Sequence, residues 1–310
     1  MTPFRAVFMG TPAFAVPSLS SLAKSENVTL VVTNPDRPSG RGQSLAMPPV
    51  KAEAQRLGLP VFQPEKAKHP DSVARIAAEK PDLIVVAAYG HILPKPMLDI
   101  PPFGCINVHA SLLPKYRGAA PINWAVARGE TVTGVTIMKM DVGMDTGPML
   151  LVREMPIDGE DTARTLYDKL SLLGAEALAE ALEKLHAGTL HETPQDDSLA
   201  TYAPMLKKEH GEIDWTRPAA EVRNLIRGMT PWPSATASHE GKALKILSAS
   251  VRRGHGEPGE VLEAGRDGMV VACGEGALAL GLVQPEGGRA MPSTDYARGR
   301  RVKKGDRLSR

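Results

Sequence analysis

Two polar side chains, Asn107 and His109, close an otherwise apolar run, "CINVH", at Cys105–His109. In an extended chain, residues i and i+2 project from the same face, so both can meet one reacting group. An asparagine amide can donate to a developing oxyanion, and an imidazole can move a proton near neutral pH. The chain then turns through Ser111, Leu112, Leu113 and Pro114. A second loop, "MDVGMDTGP" at 140–148, follows the next long strand pattern and carries Asp141 and Asp145 among glycines. A carboxylate there can orient and tune the histidine. Each residue alone reads as a cap or a turn; an Asn, a His and an Asp converging at two strand ends favour acyl-transfer chemistry. Other chemistries lack their residues. The sequence has no GxSxG elbow and no HExxH, and its eight histidines are scattered, so neither a serine hydrolase nor a metal centre is expected.

The elements that must position these groups alternate in type. "RAVFM" (5–9), "VTLVVT" (28–33), "DLIVVAA" (82–88), Cys105–His109 and "GVTIMKM" (134–140) read as strands. Helical patterns lie over 14–24 and around 71–79. Apolar strands separated by helices indicate an α/β domain with a doubly wound, Rossmann-like parallel sheet buried on both faces. Such sheets bind ligands beyond the carboxyl ends of their strands. The turn "FMGTPAF" supplies only Gly10 where a dinucleotide fingerprint needs three glycines, so it reads as a tight βα turn. A long helix is expected over 161–187, with Leu166, Leu170, Leu173, Ala177, Leu178, Ala181 and Leu185 on one stripe.

Periodicity fades over 189–205, which reads as a linker between a domain at 1–188 and a second at 206–310. The second opens with a helix at 219–229, then shows short runs joined by "HEGK", "GRDG" and "GEGA". Turn signals at that spacing predict a small antiparallel β-barrel. The formal net charge of +2 hides an asymmetry: residues 207–310 carry 18 basic against 13 acidic side chains, and residues 1–206 carry 19 against 22. The last 22 residues hold eight basic groups and two acidic ones, which suits either a polyanionic partner or a solvated basic tail. A proline- and glycine-rich loop at 34–51, "NPDRPSGRGQSLAMPPVK", leaves a strand end on the side of the candidate site. A segment so long and aperiodic is expected to be functional, and its basicity suggests phosphate contact. Cys105 and Cys273 are far apart in sequence and read as reduced, buried small residues. With neither an 18-residue apolar run nor a signal-peptide pattern, a cytoplasmic location is expected.

"INVHASLLPKYRGAAPIN" and "GVTIMKMDVGMDTG" resemble the paired motifs of the 10-formyltetrahydrofolate-dependent formyltransferases. "TNPDRPSGRG", "IDW" (213–215) and "PWP" (231–233) narrow the resemblance, over essentially the whole chain, to the methionyl-tRNA formyltransferase family. Ala110 stands where the family's core motif usually has glycine. The resemblance implies a Rossmann-like formyl-transfer domain and an OB-like barrel that contacts tRNA. It implies Asn107, His109 and Asp145 as catalytic residues, with Asp145 the motif's carboxylate. Ser111, Leu112, Leu113 and Pro114 would line the site of the donor, 10-formyltetrahydrofolate. Initiator Met-tRNA would accept the formyl group, and no metal is needed. Arg37 and Arg41 from the loop, with Arg300, Arg301, Lys303 and Lys304 from the tail, are expected to touch the tRNA of a monomeric enzyme. A formyltransferase acting on glycinamide ribonucleotide or a sugar amine would share the catalytic trio. An RNA-binding module with a relic site is the non-catalytic alternative.

Overall fold

The computed structural model describes residues 2–39, 44–265 and 268–310. The chain forms two compact units. One comprises 1–121, 132–155 and 167–203; the other comprises 122–131, 156–166 and 204–310. The segments at 122–131 and 156–166, expected in the first domain, therefore belong with the second.

The first unit is built on strands β1 (Arg5–Gly10), β2 (Asn27–Val32), β3 (Arg37–Ser39), β4 (Ser44–Ala46), β5 (Val61–Phe62), β6 (Leu83–Ala87), β7 (Cys105–His109), β8 (Arg117–Gly118), β9 (Val132–Lys139), β10 (Met149–Pro156) and β11 (Tyr202–Ala203). Seven of them form one sheet in the order β10-β9-β7-β6-β1-β2-β5. The pairs from β5 through β2, β1 and β6 to β7 are parallel, while β7 and β9 run antiparallel. All five residues of β6 are buried, as a parallel sheet covered on both faces requires. Helices Val16–Ser25 and Pro70–Ala77 fall close to their expected positions. The long helix spans Ala163–His186, and of its stripe Leu166, Leu170, Ala177, Leu178 and Ala181 are fully or almost fully buried.

Three departures from the sequence reading concern how the site is held. Of the segment 134–140, expected as another parallel strand, residues 134–139 lie in β9, which runs antiparallel to β7. The loop 34–51, read as aperiodic, contains β3 paired antiparallel with β4, and the helix Pro49–Arg56 begins inside it. The segment 189–205, read as a linker, carries structure: Thr193 bridges to Met149, Asp197–Leu199 forms a 3-10 turn, and β11 pairs with β8. Backbone pairing of one or two residues leaves no periodic trace in a sequence.

The second unit holds a five-stranded and a four-stranded antiparallel sheet, the antiparallel strand region expected there. Both share one apolar core that includes Trp215, Val222, Ile226, Leu244, Val271 and Leu278. Among the described residues no helix is long and apolar enough to cross a membrane.

Candidate active site

Strand β7 presents Asn107 and His109 on one face. Ile106 and Val108 lie buried on the other. Register fixes the neighbours: Asn107 lies opposite Val86 of β6 and Met138 of β9, and His109 opposite Thr136. His109 is only 6% exposed, whereas Asn107 is half-buried. Among the described residues the Asn107 side chain has no hydrogen-bond partner, so its amide is free to bind.

His109 is held through one nitrogen and faces a carboxylate with the other. Its Nε2 lies 3.1 Å from the carbonyl oxygen of Tyr116. A carbonyl only accepts, so Nε2 carries a proton, and the proton-accepting nitrogen of the neutral ring is Nδ1. That Nδ1 faces Asp145 Oδ2 at 3.7 Å. A protonated imidazole would therefore sit between a carbonyl and a carboxylate, with an acceptor for each N–H.

Asp145 reaches this position by a route the sequence conceals. Because β9 is antiparallel, its end at Lys139 lies beside Ile106, three residues or about 10 Å along β7 from His109. The 140–148 loop carries Asp145 back across that distance. Residues 141–144 are exposed, Val142 and Met144 among them, so apolar burial does not hold that part of the loop. Asp141 shapes it from within, accepting from the Gly143 N–H at 3.0 Å and from Thr146 Oγ1 at 2.7 Å. Gly147 is required because a Cβ there would meet the Lys139 carbonyl oxygen at 1.9 Å. Asp145 itself adopts φ +54°, a left-handed conformation that costs a side-chain-bearing residue about 1–3 kcal/mol. Its Oδ2 accepts from the Gly118 N–H at 2.8 Å. Gly118, at φ +116°, has no room for a Cβ against the Ala203 carbonyl oxygen, 2.8 Å away.

The 111–114 turn divides its expected roles. Ser111 is buried and donates to the Lys115 carbonyl at 2.7 Å. The Leu113 N–H donates to Thr136 Oγ1 at 3.1 Å, and Thr136 in turn donates to the Ser111 carbonyl at 2.7 Å. These bonds tie the turn to β9. Leu112 and Pro114, in contrast, keep exposed surface that a ligand can cover. The Leu113–Pro114 bond is cis.

Of the basic residues, Arg37 is exposed at the start of β3 and Arg41 lies outside the described residues. The foot of that loop is pinned: Asp36 accepts from Lys51 Nζ at 2.6 Å and from Gln63 Nε2 at 2.8 Å. Those bonds, the one from Gln63 foremost, hold the Asp36 carboxyl below its usual range. Arg300, Arg301, Lys303 and Lys304 are all exposed at the end of the helix Ser293–Arg300 and just beyond it. Arg301 and Lys303, with Arg298 and Thr294, line a groove of about 680 Å³. Both cysteines are buried, and burial pushes each thiol up to about 12, so neither supplies a nucleophile at neutral pH.

Sequence reasoning missed the residues behind the site. Gln195 bonds the loop of Asp145 and Arg117 holds Gln195, yet the arginine was read only as part of a motif and the glutamine as linker. Polar residues that clamp backbone give no periodic signal, although a glutamine and two acids amid fading periodicity (195–197) are a hint.

A family model described as formyl transferase matches residues 5–182, and one described as formyl transferase, C-terminal domain, matches residues 205–301. The chain is 52% identical to the methionyl-tRNA formyltransferase of Citrifermentans bemidjiense, covering 100% of this chain and 98% of that protein. It is likewise 52% identical to that of Geobacter sulfurreducens, covering 99% and 98%. The solved N-formyltransferase of Helicobacter canadensis, in complex with folinic acid and dTDP-3-aminofucose, has a TM-score of 0.66 at 19% identity. It covers 89% of this chain and 99% of that one, a likeness of fold. Identity at this level along the entire length, across both matched domains, makes the chain a formyl transferase that belongs to the methionyl-tRNA formyltransferase family.

Proposed function

We propose that the chain transfers the formyl group of 10-formyltetrahydrofolate to the α-amine of methionine on initiator Met-tRNA, in the cytoplasm and as a monomer. The observation that carries the chemistry is the free Asn107 amide two residues from a histidine whose basic Nδ1 faces a carboxylate at 3.7 Å. The donor supplies a formyl carbon on a nitrogen that can leave. Asn107 donates to the formyl oxygen as negative charge gathers there during attack by the amine. His109 Nδ1 takes the proton the amine loses, and Asp145 and the Tyr116 carbonyl hold the imidazolium. The same nitrogen returns the proton to the departing folate nitrogen. One C–N bond forms and one breaks, so the proton ends on the leaving group. Leu112 and Pro114 line the donor's place, while Ser111 and Leu113 keep their turn rigid.

The acceptor is inferred from the relatives at 52% identity, named methionyl-tRNA formyltransferase over nearly their whole length. Exposed Arg300, Arg301, Lys303 and Lys304 suit phosphate contact, as do Arg37 and Arg41 of the loop. The test is formyl transfer from 10-formyltetrahydrofolate to Met-tRNA, glycinamide ribonucleotide and a sugar amine in parallel. Transfer to Met-tRNA alone is expected. Preference for either small acceptor would overturn the reading. Replacing the four tail residues by alanine should raise KM for Met-tRNA and flatten its salt dependence, with kcat within about twofold. Each phosphate contact removed lowers the slope of log affinity against log salt by about 1. An unchanged salt slope would remove the tail from the tRNA interface.

A further inference from the structure

Gln195 lies in the segment read as a linker, yet every hydrogen-bonding site of its amide is used. Its Nε2 donates to the Asp145 carbonyl at 2.8 Å and to the Gly147 carbonyl at 2.7 Å. Its Oε1 accepts from Arg117 Nε at 3.0 Å and Nη2 at 2.8 Å. The amide orientation is thereby determined. Turned over, it would set its NH2 against a guanidinium and its oxygen against two carbonyls. Arg117 is 2% exposed, and its Nη2 also donates to Asp197 Oδ1, 2.7 Å away. The Arg117 N–H donates to the Thr201 carbonyl at 2.9 Å, which ties the arginine to the same segment.

These contacts close a ring. Arg117 holds Gln195, and Gln195 holds the backbone of Asp145. Gly118, the residue after Arg117, holds the Asp145 carboxylate through its N–H. Residues 117–118 thus grip Asp145 at both ends, directly through the Gly118 N–H and indirectly through the side chains of Arg117 and Gln195. A grip of that kind is what a left-handed aspartate in an exposed loop needs to stay in place. The two carbonyls that Gln195 takes flank Thr146, so a single amide sets the direction in which Asp145 leaves the chain.

We infer that Gln195, itself oriented by Arg117, is a positioning residue that aims Asp145 at His109. The inference rests on the catalytic roles proposed above for that pair. Gln195 touches neither the reacting atoms nor His109. It acts through the backbone of the loop, and displacement of a catalytic group by about 1 Å costs on the order of 10²-fold in rate.

The decisive variant is Gln195→Glu in the full-length protein. It keeps side-chain length and pairs with Arg117, so it preserves the anchoring of 189–205. It loses both donors and turns one oxygen toward the two carbonyls. The expected result is a folded protein with kcat down about 10²-fold and KM for 10-formyltetrahydrofolate and Met-tRNA within about threefold. Gln195→Asn is one methylene too short to reach both carbonyls from its place on Arg117, and it should lose rate as well. Combined with Asp145→Asn, either change should add less than about threefold, because its effect is routed through a carboxylate already gone. A kcat near wild type in folded Gln195→Glu and Gln195→Asn would overturn the inference, and so would multiplicative losses in the double variants. Failure of the underlying reading looks different. Asp145→Asn alone would then retain normal turnover, and both proposals would fall together. A crippled Asp145→Asn beside active Gln195 variants would sink the positioning role alone.

Discussion

Asn107→Ala is expected to lower kcat for formyl transfer by about 10²–10³-fold, or about 2.7–4 kcal/mol, the usual worth of one oxyanion donor. The protein should remain folded. The side chain is half-buried and has no described hydrogen-bond partner, so its removal leaves no protein group unsatisfied. Substitutions of that kind typically change stability by less than about 0.5 kcal/mol. His109→Ala should lose at least as much rate, because general acid–base assistance is worth about 10²–10⁴-fold. It should also cost stability, since the buried Tyr116 carbonyl loses the His109 hydrogen bond, worth about 0.5–1.5 kcal/mol. The two variants are therefore separable by calorimetry as well as by rate. Single-turnover transfer with a melting curve for each protein checks both expectations. A folded Asn107→Ala enzyme with near-normal turnover would remove the amide from the chemistry.

How much of this was legible beforehand depended on distance along the chain. Asn107 and His109 could be placed together because a strand's two-residue period puts them on one face, and no tertiary contact is needed to infer it. The parallel core was equally readable, since "LIVVA" at β6 has no polar face and must be covered on both sides. Asp145 was reached for an incomplete reason. A parallel β9 would have ended near His109, whereas the antiparallel strand ends beside Ile106, and the loop makes up the difference. Strand direction at the edge of a mixed sheet is set by the connections, which carry no periodic signature. The same holds for 189–205: one bridge at Thr193, a 3-10 turn and the two-residue β11 leave nothing for a hydrophobic pattern to report. The split of 111–114 into buried and exposed residues was hidden too, because it depends on Thr136 of β9 reaching the turn.

Asp145→Asn is expected to lower kcat by about 10²–10³-fold while KM for 10-formyltetrahydrofolate stays within about threefold. The amide is isosteric, and its oxygen can take the place of Oδ2, keep the Gly118 N–H bond and leave the loop in position. Only the net charge is lost. At 3.7 Å from His109 Nδ1, a full charge contributes at most about 4.5 kcal/mol if the effective dielectric constant is about 20. Partial exposure of the carboxylate lowers that figure, and the remaining dipole of the amide lowers the loss further. The ceiling corresponds to about 10³-fold, which sets the upper end of the expected range. The charge matters when His109 holds the proton and hardly at all when donor and acceptor first bind, so the loss belongs in kcat. Asp141→Asn provides the control within the same loop. One oxygen of Asp141 accepts from both Gly143 and Thr146, and an asparagine oxygen can do the same. That variant should stay within about threefold of the unmodified enzyme. Equal losses at 141 and 145 would mean that both changes merely loosen the loop. Normal rates at 145 would reduce Asp145 to a turn residue. A loss confined to 145, with both proteins melting at the same temperature, is the outcome that assigns the charge to His109.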